Sequence, residues 1–167
     1  MAIANDNTPG WIKRQNQEKE ETKRLAEEAE ERRRSEADNI RAVGPDFWSR
    51  FVLRVKANIQ ALPTLQGAEL VGSVSTQQQG REELCSIHVN RQSVPNGPAL
   101  SHLNLWYASG GGSIRCYVQD HERPDFHLIH REGVVHVSHA GGLYTAEDFA
   151  DYLVSSMSER VKARRSA

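Results

Sequence analysis

The feature that most constrains this chain is an abrupt change of chemistry at Gly44-Pro45. From Lys13 to Arg41 charge dominates, in the run KRQNQEKEETKRLAEEAEERRRSEADNIR. Shortly after the Gly-Pro pair comes FWSRFVLRVKANIQAL, whose apolar residues recur every three or four positions. The first segment has too little apolar surface to fold on itself, and the second has too much to remain in water. The contrast predicts an arm and a module: a disordered N-terminus over 1–10, a charged helical arm over 11–43, and a compact domain over 44–167.

Glu, Lys, Arg, Gln and Ala dominate the arm, without internal Gly or Pro, so it reads as a helix from about Trp11 to Val43. Acid-base pairs at i,i+4, such as Glu20–Arg24, Glu28–Arg32 and Glu30–Arg34, each support an exposed helix by about 0.2–0.5 kcal/mol. The apolar stripe is thin, comprising Leu25 or Ala26, Ala29, Ala37 and Ile40, and is too sparse for a coiled-coil seam. A straight helix of this extent is about 48 Å long. The remainder of the chain has an expected radius of gyration of about 14 Å. A straight arm of that length must project, pack on another subunit or melt at its start; it reads as a solvated single helix or as one that meets a protein partner or a second copy of the chain through residues 11–43.

Gly44-Pro45 reads as the end of one helix and the start of another. The second helix is predicted over 45–62, burying Phe47, Trp48, Phe51, Val52, Val55, Ile59 and Leu62, with Pro63 beyond it. After Gly67 the apolar period changes to two, which predicts six strands: Ala68–Ser75, Glu83–Arg91, Leu100–Ala108, Ser113–Gln119, Phe126–His130 and Val134–Ser138. The connectors TQQQGR, SVPNGP, SGGG, DHERPD and REG are short, which favours antiparallel neighbours. Thr145 caps a final helix over 145–162, whose stripe is Phe149, Leu153, Met157 and Val161. The predicted fold is α+β: a two-layer sandwich of a six-stranded antiparallel meander with two helices on one face, preceded by the long charged helix.

Alternation sorts the strand residues into two faces. The core face takes Cys85, Ile87, Val89, Leu103, Leu105, Tyr107, Ile114, Cys116, Val118, Phe126, Leu128, Val135 and Val137. The other face carries His88, His102, Asn104, Trp106, Arg115, Tyr117, His127 and His136. Trp, Tyr and Arg dominate binding hot spots, and His and Asn add directional hydrogen bonds. These eight residues are the candidate ligand- or partner-binding set.

Other chemistries find less support. His127-x-x-His130 and His136-x-x-His139 have the look of metal-ligand pairs, but i and i+3 on a strand face opposite ways. A two-residue turn at Glu132-Gly133 sets His136 opposite Ile129 and diagonal to His127, which supplies two ligands at most. No metal site and no cofactor are assigned. Ser138 shares a face with His136 but lacks a nucleophile elbow, and both cysteines point to the core, so no catalytic residue is assigned. Ser109-Gly110-Gly111-Gly112 reads as a hairpin connection, and Gly141-Gly142 as a strand-to-helix hinge.

Net charge is −1, and neither half is biased in sign, which disfavours nucleic acid as a partner. No apolar run is long enough to span a bilayer. The start of the chain lacks a basic segment followed by an apolar one, and two cysteines make no disulfide framework, so a cytoplasmic location is expected. Together these features favour a binding or interaction protein acting through the arm and the polar-aromatic sheet face. The alternative is a small-molecule binder, or a minor enzyme, using the histidine-bearing face.

Overall fold

The computed structural model describes residues 9–65, 67, 69–93 and 100–164. Most of the expected disordered N-terminus and most of the SVPNGP connector lie outside these residues, as does Ala68. Two compact units make up the chain, one ending at Glu36 and the other beginning at Ala37. The element order is α1 (Gly10–Ala61), a 3-10 turn (Leu62–Thr64), then β1 (Leu70–Gln79), β2 (Glu82–Arg91), β3 (Ser101–Ala108), β4 (Ser113–Val118), β5 (His121–Arg131), β6 (Val134–His139), β7 (Gly142–Tyr144) and α2 (Ala146–Ala163).

In the first unit, the described helix surface is exposed apart from the half-buried Ile12. Side-chain pairs run along it at i,i+4: Lys23–Glu27, Arg24–Glu28, Glu28–Arg32 and Glu30–Arg34, at 3.1 to 3.9 Å. The expected Glu20–Arg24 pair is replaced by Arg24–Glu28. The thin apolar stripe divides: Leu25, Ala26, Ala29 and Ala37 are exposed, whereas Ile40, in the second unit, is part of the core.

The helix does not break at Gly44-Pro45, contrary to the expected boundary between two helices. Pro45 lies inside α1, and Gly44 is buried. An interior proline costs about 3 kcal/mol. Burying large apolar side chains returns about 1.5–3 kcal/mol each. Ile40, Phe47, Trp48 and Phe51, on both sides of the proline, all belong to one core. Continuing the helix therefore wins. Pro45 has no amide hydrogen to give the Arg41 carbonyl one turn earlier, and both residues are exposed.

The sheet is an antiparallel meander in the order β1 to β7. It has seven strands where six were expected. The seventh forms because Ala140 and Gly141, with φ of 50° and 79°, make a two-residue hairpin turn that returns Leu143 against Ser138. Gly142 is thus the first residue of β7, and the expected hinge at Gly141-Gly142 is a turn and a strand. Glu132-Gly133 has the same left-handed geometry and sets Ile129 opposite His136, the register expected from the sequence.

β5 departs most from expectation. DHERPD was expected to be a connector, but the turn is Gln119-Asp120 alone, and the strand begins at His121. Ile114 pairs with Phe126 and Cys116 with Arg123, so β5 has one residue more than β4 across this interval. The bulge coincides with Pro124, which has no amide hydrogen to contribute to a ladder.

The buried cluster joins three sources: α1 from Ile40 to Ile59, the alternating core face of β2 to β6, and Phe149, Leu153, Met157 and Val161 of α2. Trp48 stacks on Tyr107 and Phe51, with centroids 5.3 and 5.4 Å apart, and its Nε1 donates to Glu83 Oε2 at 2.7 Å. Thr145 caps α2 as expected, accepting from the Asp148 amide. Arg50 pairs with Glu147, and Arg54 with Asp151, each through two hydrogen bonds of 2.7 to 2.9 Å. The pairs lie one helical turn apart and tie α1 to α2. No helix among the described residues is long and apolar enough to cross a membrane.

Candidate functional site

The non-core face of the sheet is built by alternation. β3 reads buried and half-buried by turns, with Leu103, Leu105 and Tyr107 inside and His102, Asn104 and Trp106 outside. Antiparallel pairing then sets Asn104 against Tyr117, Trp106 against Arg115, and His88 against His102.

Four of the eight candidate residues converge. Asn104, Trp106, Arg115 and Tyr117 line one shallow depression of about 450 Å³ with Glu82 and Asp120. The Arg115 guanidinium lies 5.9 Å from the centre of the Trp106 ring, and its Nη2 donates to Glu82 Oε1 at 2.6 Å. It is thereby held against the indole with its remaining donors unspent. With Glu82 and Asp120 facing Arg115, the depression carries no excess of positive charge for a phosphate backbone.

A second group adjoins it. The His88 and His102 rings stack with centroids 4.0 Å apart. Burial, and then the charge of His102, push the His88 pKa down. Asn104 Oδ1 accepts from Ser86 Oγ at 2.5 Å and lies 3.0 Å from His102 Nε2, so that nitrogen carries the proton. The group is a hydrogen-bonded polar stack in which the charged form of His88 is disfavoured.

His127 and His136 stand apart from both groups, on β5 and β6. His127 is exposed and pairs across the sheet with Ser113 and Ser138. His136 is half-buried, and its Nδ1 has no hydrogen-bond partner. Among the described residues no group of three His, Cys, Asp or Glu side chains is placed to hold a metal ion. Both cysteines are buried, and burial pushes the thiol of Cys85 up to about 12 and that of Cys116 up to about 11.

Sequence reasoning missed a second concavity. A cleft of about 420 Å³ lies between the sheet and α2. Its apolar lining includes Leu103, Cys116, Phe126, Leu153 and Met157, and its polar lining includes Arg123, Asp125, His139, Tyr152 and Arg160. Without the bulge, Arg123 and Phe126 fall on opposite faces; with it, both line the cleft beside Cys116. Pro124 is the sequence signal, since a proline next to an alternating run marks either a strand end or a bulge.

No protein-family model, curated protein or solved structure matches the chain.

Proposed function

We propose that this is a binding protein whose compact unit docks a protein partner on the sheet face centred on Trp106, Arg115 and Tyr117. One observation carries the reading: aromatic, guanidinium and amide side chains from adjacent strands converge on a single depression of about 450 Å³. Such residues form hot spots because they combine large contact area with directional bonds. The mixed charge of Arg115, Glu82 and Asp120 suits a polar peptide segment better than a phosphate backbone.

The arm supplies a second contact. Some of its charges are paired within the helix, and the large apolar groups it leaves in solvent are Trp11 and Leu25, which are 64% and 55% exposed. A partner helix or a second copy would bury them.

Photocrosslinking in the full chain tests the sheet face. Benzoylphenylalanine at position 117 is expected to trap one partner, and Trp106→Ala is expected to abolish the adduct. The same probe at exposed position 57 is expected to give none. Failure to trap a partner from position 117, or the same adduct from position 57, overturns the proposal. For the arm, Leu25→Glu in the full chain is expected to lower the mass seen by light scattering if copies associate; an unchanged monomer leaves a different partner as its occupant.

A further inference from the structure

We propose that the cleft between the sheet and α2 binds a small amphipathic anion, a carboxylate or sulfonate carried on an apolar body. At about 420 Å³ the cleft has the size of a small-molecule site. Leu103, Phe126, Leu153 and Met157 offer an apolar body a surface to bury against.

Charge identifies the head group. Arg123 and Arg160 both line the cleft, and neither forms an ion pair with an acid among the described residues. Arg50, Arg54 and Arg115, by contrast, are each paired with a carboxylate at 2.6 to 2.8 Å. Both cleft arginines lie near enough to Cys116 to draw its thiol pKa down against the effect of burial. Asp125 is the acid lining the cleft, and it already accepts from Ser113 Oγ at 3.2 Å. Two guanidiniums against one carboxylate leave one positive charge, which matches a monoanion and disfavours a cation. His139 Nε2 and the Tyr152 hydroxyl, 3.1 Å apart, add a polar pair for a second group on the ligand.

The bulge at Pro124 is what carries Arg123 to the cleft side of β5. His102, one of the sheet-face candidates, also lines the cleft, but none of the residues lining the depression around Trp106 does, and the proposal does not depend on docking there.

The test is fluorescence titration of the full chain with 8-anilinonaphthalene-1-sulfonate. One saturable site per chain is expected, displaced by octanoate but not by octylammonium. Arg123→Ala with Arg160→Ala is expected to weaken binding by about tenfold or more, as loss of charge-assisted hydrogen bonds does. Arg131→Ala, which changes an exposed residue outside the cleft, should leave it unchanged. Met157→Trp, which fills the cleft and keeps its charge, should block binding, with circular dichroism confirming that each variant folds. Absence of a saturable site, equal displacement by octylammonium, or unaltered binding in the double arginine variant overturns the proposal.

Discussion

Gly44 lies so close beneath Tyr107 that a β-carbon at position 44 would stand 2.5 Å from the Tyr107 hydroxyl oxygen. The glycine that reads as a helix stop is therefore a packing residue. The hydroxyl it accommodates is buried, lies near the Gly110 backbone without a hydrogen bond of good geometry, and is harder to ionise because of that burial.

Gly44→Ala is expected to destabilise the protein. Alanine improves helix propensity by about 1 kcal/mol. Overpacking against a stacked tyrosine costs about 1–3 kcal/mol. Tyr107→Phe removes the clashing oxygen and a buried unpaired hydroxyl, so alone it should be neutral or stabilising by about 1 kcal/mol. Added to the Tyr107→Phe variant, Gly44→Ala should become neutral or favourable. Urea midpoints across the double-mutant cycle measure this coupling, and additive effects would contradict it.

Pro45→Ala restores an amide donor to the interior of α1 and should raise stability by about 2 kcal/mol, the helix penalty of about 3 kcal/mol less the roughly 0.4–1 kcal/mol of entropy that proline removes from the unfolded chain. A loss of stability in urea would show that the proline favours the folded state.

Asp151 is held below the usual carboxylate range, first by the hydrogen bond from Arg54, with the Asn58 bond and the Arg54 charge acting alongside and burial opposing. A lowered folded-state pKa gives stability that is present above the unfolded value of about 4 and lost as pH falls through the folded value. Asp151→Asn should therefore be less stable than the parent at pH 7. The gap should close as pH drops below about 4. Urea midpoints at pH 7, 5 and 3 check the trend; a gap that widens in acid would contradict it.

The thiols of Cys85 and Cys116, raised to about 12 and about 11, remain protonated at pH 8. Native protein should react with iodoacetamide far more slowly than protein unfolded in urea, at both positions. Mass spectrometry of the labelled protein provides the measurement, and rapid native labelling of either cysteine would contradict its burial.

Much of the architecture was legible in the chain. Period-two alternation placed Ile87, Leu105, Ile114 and Val137 in the core, and all four are fully enclosed. The steps of three and four from Phe47 to Ile59, and from Phe149 to Val161, marked the helix faces that reach the same core. These assignments rest on local geometry: a strand or a helix presents its side chains at a fixed period whatever surrounds it. For the same reason the gathering of Asn104, Trp106, Arg115 and Tyr117 on one face followed from strand alternation and short connections.

What the chain by itself determined was thus which residues turn inward and which strands are neighbours. Tertiary structure alone decided the continuation of α1 through Pro45, because the local cost of the proline is outweighed only when a sheet is present to bury Phe47 and Trp48 beside Ile40. It also decided the face of Arg123, because one extra residue in β5 reverses the parity of everything on its far side. Periodicity shows which side chains share a face only while the register is unbroken, and the cleft exists where it breaks.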